Sequence, residues 1–399
     1  MAGLLYLVHR LPYPPDKGDK IRSFHLLRYL AERHAVYLGA FIDDPADRTH
    51  AGALSAWCAD SHFATLSPRA ARLRSLSGLV SGQPLTLPYY RDAGLQRWAR
   101  DLVEAGKVRA AVAFSSAMAR FVPPQMPVKL MDMVDVDSDK WARYAQARPW
   151  PLSWLYRREA AKLGAWEGRV ARTFDATFLV SRQEAGLLEQ THPEARGRIH
   201  WLENGVDYAY FHPDPTLPNP YAAGESAIVF TGAMDYWPNV DAVVWFAREA
   251  LPRIRAELPA ARFCIVGSRP ARAVRELAAL PGVTVTGRVA DVRPYLQHAA
   301  CVVAPLRLAR GVQNKVLEAM SMAKPVVASR AALEGIHAEV GSEVLGGADL
   351  SETAAAVLAV CRGECAELGA RARARILQDY DWNRNLSRLD PWLDTSFTH

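Results

Sequence analysis

Cysteine is scarce in this chain: five residues in 399, scattered as Cys58, Cys264, Cys301, Cys361 and Cys365, with no C-x-x-C pair. Cys264, Cys301 and Cys361 sit in apolar runs, where a thiol acts as a small hydrophobe, so neither a disulfide framework nor structural zinc is expected. No run of about 18 consecutive apolar residues occurs, which excludes a spanning helix. The opening MAGLLYLVHR turns polar too soon for a secretory signal, and the expected location is the cytoplasm. There is no G-x-S-x-G elbow, and His9, His25 and His34 have no Cys or Glu partner at ligand spacing, which argues against a serine hydrolase and a histidine metal centre. Short-period repeats and low-complexity tracts are also missing.

What remains is an ordinary globular composition, 50% hydrophobic and 23% charged, at a length that suggests two or three domains. Short apolar runs alternate with amphipathic stretches: 4–8, 35–41, 110–114, 128–134 and 176–180, then 227–232, 261–266, 283–287, 300–305 and 324–329. Such alternation predicts βα units around parallel sheets. The polar, Pro-rich stretch 212–226 separates two such series, so two α/β domains in tandem are expected, with a cleft between them.

Charge divides the halves. Residues 1–200 hold 28 Lys and Arg against 20 Asp and Glu, a net of +8, whereas residues 201–399 hold 20 against 22, a net of -2. Within the basic half, residues 140–172 carry eight Lys or Arg, two Glu and four of the eleven tryptophans. That mixture suits a helix at an anionic membrane interface and equally a core helix with buried tryptophans. No nucleic-acid module accompanies it, and nucleic acid is not expected as a partner.

In open α/β sheets ligands bind beyond the carboxyl ends of the strands. After the first run, Pro12, Pro14 and Pro15 force an extended loop, and Gly18 precedes a helix with Ile21, Phe24, Leu27 and Leu30 on one face. A glycine there either lets a phosphate approach a helix N-terminus or simply makes the turn. In PLRLARGVQNKVLEAMSMAKPVVAS, residues 305–329, Gly311 opens a helix on which Lys315 and Glu318 lie three apart, on one side. Lys315 could meet a pyrophosphate while Glu318 accepts both ribose hydroxyls; the alternative is an ordinary surface ion pair. Asp132, Asp135, Asp137 and Asp139 follow a strand of the first domain, but the run lacks a glycine-bearing calcium loop, and no metal is expected. Asp135, at the strand end, is the candidate group for the acceptor hydroxyl or donor sugar.

The segments FTGAMDYWPNVDAVVWF, FCIVGSRP, VTVTGRVADVRPYL and CVVAPLRLARGVQNKVLEAMSMAKPVVAS, with the earlier WLENGVDYAYFHP, stand in the order and spacing of a family 4-like glycosyltransferase of the GT-B type and resemble it. PYPPDKGDKIRSFHLLRYLA and DMVDVDSDKW more narrowly resemble sugar transferases of bacterial exopolysaccharide and PEP-CTERM systems. The resemblance implies an α/β fold of two Rossmann-like domains facing across a cleft: an acceptor-side domain over 1–205, a donor domain over 206–378, and a helix at 379–399 packing back on the first. It implies transfer from a nucleoside diphosphate sugar, with retention and without a cofactor, to a hydroxyl of a lipid-linked or oligosaccharide acceptor, on the inner face of the plasma membrane if 140–172 meets lipid. Carried over by position, Glu318 holds the ribose and Lys315 the pyrophosphate. Gly287 and Arg288 line the base, Gly232 and Gly267 end the first donor-domain strands, and Gly18 meets the donor phosphates. Gly311 and Asn314 lie at the helix start. The chain departs from the family at Arg310, where a second glutamate is common, and at Met234, Asp235 and Asn239, where an Arg and a Lys are common; Arg307, Arg310 and Lys315 are then the available cations. The competing expectations are a silent nucleotide-sugar-binding subunit and a nucleotide-sugar epimerase of the same fold.

Overall fold

The computed structural model describes residues 3–15, 18–309 and 311–397, and the chain divides into two compact units, Met1–Glu203 with Asn383–His399, and Asn204–Trp382. Each is built on one sheet, and every strand pairing in both sheets is parallel. The first has the order β3-β2-β1-β4-β5-β6-β7, with β1 at Gly3–Val8, β2 at Ala35–Ile42, β3 at Asp60–Thr65, β4 at Val108–Phe114, β5 at Val128–Val134, β6 at Ala176–Leu179 and β7 at Ile199–Trp201. The second runs β10-β9-β8-β11-β12-β13, with β8 at Ser226–Thr231, β9 at Ala261–Val266, β10 at Val283–Gly287, β11 at Cys301–Ala304, β12 at Val326–Ala328 and β13 at Leu345–Gly346. Helices cover both faces, so the central strands are apolar throughout: all six residues of β1 are buried, and so are the four of β11.

The order of strands reverses between β1 and β4 in the first sheet and between β8 and β11 in the second. Crevices for ligands form at such reversals, beyond the carboxyl ends. In the second unit this puts Gly232 on one side of the crevice and the chain after β11, which leads into the helix Asn314–Ser321, on the other.

Buried charge organises the first unit. Arg22, on the helix Gly18–Ala31, donates from Nε and Nη2 to the two carboxylate oxygens of Asp132 on β5, at 2.8 and 2.9 Å, and both side chains are 1% exposed. Beside them Tyr6 donates to the Ser23 carbonyl at 3.0 Å, and Lys20 donates to Asp47 at 2.7 Å from full burial. The helix is therefore not one-faced: Phe24, Leu27 and Leu30 are buried as expected, and Arg22, Ser23, Leu26 and Tyr29 are buried too. The acidic run is dispersed as well. Asp132 is a structural ion-pair partner, whereas Asp137 and Asp139 sit in the first turn of the next helix against Lys140 at 3.6 Å and Arg143 at 3.0 Å. Among the described residues no group of three or more His, Cys, Asp or Glu is arranged to hold a metal.

The C-terminal segment packs on the first sheet. Tyr29 donates to Asp390, Leu389 and Leu393 are buried, and Trp392 meets Phe178 edge-on at 5.2 Å. The 140–172 segment is two helices, Asp137–Gln146 and Leu152–Thr173, laid against each other. Trp166 packs against the core and donates to the Ser116 carbonyl at 2.9 Å, and Trp141 packs on Tyr144 and Tyr156, so half of its tryptophans are partly buried.

Removing one partner of a buried ion pair leaves the other desolvated and unpaired. Asp132→Ala is expected to cost about 3–5 kcal/mol, while replacing both Arg22 and Asp132 by leucine should cost much less. Denaturant titrations of the two variants check this, and equal losses would mean that the pair is not what makes the single change costly.

Candidate donor site at the second sheet

Lys315 is the second residue of the helix Asn314–Ser321, and Glu318 stands one turn on. The Lys315 ammonium donates to Asn239 Oδ1 at 2.7 Å and lies 5.0 Å from the centre of the Phe230 ring, a cation over an aromatic face. Asn239 is itself oriented: its Nδ2 donates to the Ala233 carbonyl at 2.9 Å, which turns its oxygen toward the lysine. Asn239, noted in the sequence only as a departure from the family, is thus the lysine's holder.

The glycines follow from this packing. At Gly232, with φ of 152°, a Cβ would lie 2.8 Å from Asn239 Nδ2 and 3.4 Å from Lys315 Cε. At Gly267 it would lie 1.6 Å from the Gly232 carbonyl oxygen, so a side chain there would push the ends of β8 and β9 apart. Main-chain bonds tie the three strand ends together, Gly232 N–H to Val266 O at 3.0 Å and Gly267 N–H to Gly287 O at 3.2 Å. Gly287, in the left-handed region at φ 70°, ends β10 in open space, with the exposed Arg288 next to it.

Burial shifts both charged groups against their charges. It pushes the Lys315 ammonium down to about 8, with Glu318 partly opposing, and the Glu318 carboxyl up to about 7, with Lys315 partly opposing. No ion pair closes between them to relieve the strain, since the lysine faces the asparagine. The site therefore holds a cation and a carboxyl that gain by meeting a partner.

The remaining candidates divide. Gly311 takes a left-handed φ of 63°, its carbonyl accepts from Gln313 Nε2 at 3.1 Å, and Asn314 Oδ1 accepts a long 3.4 Å bond from the buried Asn204. Arg307 is exposed and engaged by Asp241, with its Nε donating at 2.8 Å, so part of its charge is already answered. Arg310 lies outside the described residues. A cation not foreseen is Arg269, past the end of β9, which takes a left-handed φ of 51° and pairs at 3.0 Å with Asp235, past the end of β8.

Gly18 and Asp135 belong to the first unit. Gly18 is the exposed first residue of its helix. Asp135 is half-buried and follows Val134, which has φ of 71°, a strained conformation for a β-branched residue; Ser115, past the end of β4, has the same φ. The loop is fixed by Glu184, whose carboxylate accepts from the Val136 N–H at 2.8 Å. At the same edge His9 stacks on Phe114 with ring centres 5.7 Å apart and lies 3.4 Å from Asp19.

The sequence model of the family described as Glycosyl transferases group 1 matches residues 225–362, a span inside the second unit that contains every residue of the Lys315 site except Asn204. Over the whole chain the structure is similar to sucrose-phosphate synthase of Thermosynechococcus elongatus, with TM-score 0.71 at 17% identity, covering 100% of this chain and 99% of that one. It is similar to HepE of Anabaena in complex with UDP, with TM-score 0.68 at 15% identity over 99% and 100% of the two chains. It is also similar to WaaG, a glycosyltransferase involved in lipopolysaccharide biosynthesis, with TM-score 0.66 at 13% identity over 99% and 100%. The fold is GT-B. No curated protein sequence matches the chain. In this GT-B chain the strand-order reversal, the three glycines and the helix carrying Lys315 and Glu318 meet at one edge of the second sheet.

Glu318 binds a proton more readily in the folded protein than in the unfolded chain, so its contribution to stability is present below the usual glutamate range and is lost as pH rises through about 7. Glu318→Gln removes that loss. Relative to the parent, the variant should gain stability between pH 5 and pH 8; melting curves at the two values measure it, and parallel curves would contradict a raised carboxyl.

Proposed function

We propose that the chain is a glycosyltransferase that moves a sugar from a nucleoside diphosphate sugar to a hydroxyl of a lipid-linked or oligosaccharide acceptor, with retention, in bacterial exopolysaccharide or cell-surface glycan synthesis. The observation that carries this reading is the half-buried Lys315 and Glu318 pair at the strand-order reversal, each shifted toward its neutral form. A diphosphate would favour the lysine's charged form, and two ribose hydroxyls donating to Glu318 would favour its carboxylate. The match of residues 225–362 to a glycosyltransferase family, and the UDP and UDP-glucose complexes of HepE, support a uridine nucleotide as the first donor to test.

In the reaction the bond from the anomeric carbon to the diphosphate oxygen breaks, a bond to the acceptor oxygen forms, and the acceptor proton passes to the departing diphosphate. The protein's contribution is positioning and stabilisation of the leaving charge. Lys315, held by Asn239, answers the diphosphate together with the N–H groups at the start of its helix and the arginines Arg307 and Arg310. Gly287 and Arg288 border the base. Asp135 is assigned to the acceptor hydroxyl or the donor sugar. Neutralisation by side-chain cations makes no demand for a divalent ion, and the protein works in the cytoplasm, at the inner face of the plasma membrane.

Calorimetry with UDP, GDP, ADP and dTDP tests the reading. Lys315→Ala and Glu318→Ala should each weaken the preferred diphosphate by about 1.5–3 kcal/mol, roughly ten- to hundredfold, without loss of fold. Unchanged affinity in both variants would remove them from the site, and no binding of any nucleotide would remove the function.

Transfer should also persist in EDTA. Activity lost in chelator and restored by manganese or magnesium would show that the cations do not suffice and would return Asp135 and Asp137 as ligands.

A further inference from the structure

The first unit has an outer face with the wrong residues for water. The helices Pro68–Ser75 and Ser77–Ser81 are joined through Leu76, itself in a right-handed helical conformation at φ -60°, ψ -24°, so residues 68–81 keep nearly helical spacing. Ala71 and Gly78, seven apart, form the buried side, and Arg74 anchors it by donating to the Pro88 and Tyr89 carbonyls at 2.8 and 2.7 Å. The opposite side would ordinarily be polar. Instead it carries Leu73, Leu76 and Val80, with Leu79 at its margin; Leu73 is 73% exposed and Val80 94%.

This face continues onto the start of the helix Leu152–Thr173. Arg158 donates to the Gly78 and Gln83 carbonyls at 2.6 and 3.1 Å, and the Glu159 carboxylate accepts from the backbone of Leu85 and Thr86 at 2.6 and 3.0 Å. One turn earlier the same helix exposes Trp154, with Leu152 and Trp150 beside it; Trp150 is 78% exposed. Residues 68–82 and 146–158 together contain Arg69, Arg72, Arg74, Arg148, Arg157 and Arg158 and no Asp or Glu.

We infer that this face, formed by residues 68–82 and 150–154, lies on an anionic lipid surface, with Leu73, Leu76, Leu79, Val80, Trp150 and Trp154 entering the headgroup region and the arginines meeting lipid phosphates. Apolar side chains and tryptophans beside arginines, without acids, are what an interfacial element requires. The charge also argues against a second copy of the chain, because a self-complementary contact would press arginine against arginine with no carboxylate from either segment. Among the described residues no helix is long and apolar enough to cross a membrane. The inference narrows the surface from 140–172 to its first exposed turn and adds an arm, residues 68–82, outside that segment. It rests on the transferase reading only for its purpose, delivery of the first unit to a lipid-linked acceptor.

The test is co-sedimentation of the full chain with vesicles of phosphatidylcholine alone and of phosphatidylcholine mixed with phosphatidylglycerol, at low and high salt. The parent should prefer the anionic vesicles and lose much of that preference at high salt, as screening shortens the reach of the arginines. Leu79→Ser with Val80→Ser should lower the bound-to-free ratio at least about tenfold at either salt. Arg69→Glu with Arg72→Glu should abolish the anionic preference, and Arg169→Glu, exposed farther along the same helix, should change little. All substituted positions are exposed, and an unchanged melting curve confirms the fold. No vesicle binding by the parent, full binding by the serine variant, or equal loss in Arg169→Glu would overturn the inference; so would self-association in sedimentation velocity that the serine variant abolishes. UDP calorimetry on the same samples separates the readings: vesicle binding without nucleotide binding removes the transferase and leaves the surface, and the reverse removes the surface alone.

Discussion

An ammonium group and a carboxyl, three residues apart on one short helix and both half-buried, set the terms of the second unit. Lys315 stays in place because Asn239 accepts its hydrogen bond and Phe230 offers its ring face. Asn239 can do so only because Gly232 leaves room, and Gly232 can reach that conformation only because Gly267 leaves room in turn. Each glycine is thus a consequence of the lysine's position. Replacing Gly267 by alanine would move a strand end, and the strand end positions Asn239.

The same chemistry with the opposite purpose appears in the first unit. Arg22 and Asp132 answer one another's charge with two hydrogen bonds. Lys20 and Asp47 form a second buried pair through a bond at 2.7 Å. Pairs closed in this way fix the helix Gly18–Ala31 to the sheet in one register, because any slip would leave a buried charge without its partner. Lys315 and Glu318 are the open counterpart: burial shifts both toward neutrality, with no carboxylate on the lysine. Closed pairs specify structure, and open ones are available for binding.

Much of this was legible in the amino-acid sequence. Each of the ten apolar runs forms a strand, because parallel strands covered on both faces need unbroken hydrophobic residues. The strands that escaped notice are β3, with its polar DSHFAT, and the two- and three-residue β13 and β7, whose hydrophobic signal is too weak or too short. Spacing puts Lys315 and Glu318 on one side of a helix but leaves an ordinary surface ion pair as the alternative, and their roles come only with the family resemblance. Asn239 was not legible, since nothing in a sequence shows that a side chain 76 residues away receives the lysine's hydrogen bond. Periodicity also assigns Arg22 to the solvent side of its helix and an apolar helix face to the core. Both assignments fail here, at Arg22, which is buried, and at Leu73, Leu76 and Val80, which are exposed.

The basic excess of the first half has a similar lesson. The cations of residues 1–200 that pair with carboxylates cancel within their pairs, so the net of +8 rests on the cations outside such pairs. Arg10 bonds to Asp19 and Asp43, Arg22 to Asp132 and Lys20 to Asp47, while Arg74, Arg120 and Arg158 donate to main-chain carbonyls around residues 78–89. A carbonyl orients an arginine without cancelling its charge. The positive potential therefore gathers where the acids are missing and the arginines are tied to backbone, and there burial and mutual repulsion from Arg91 and Arg74 already lower the Arg120 pKa. Leucine, valine and tryptophan are exposed on this part of the unit, so apolar surface and uncancelled charge coincide. Water favours the charge but not the apolar side chains, a nucleic acid backbone likewise meets only the charge, and an anionic lipid layer satisfies both.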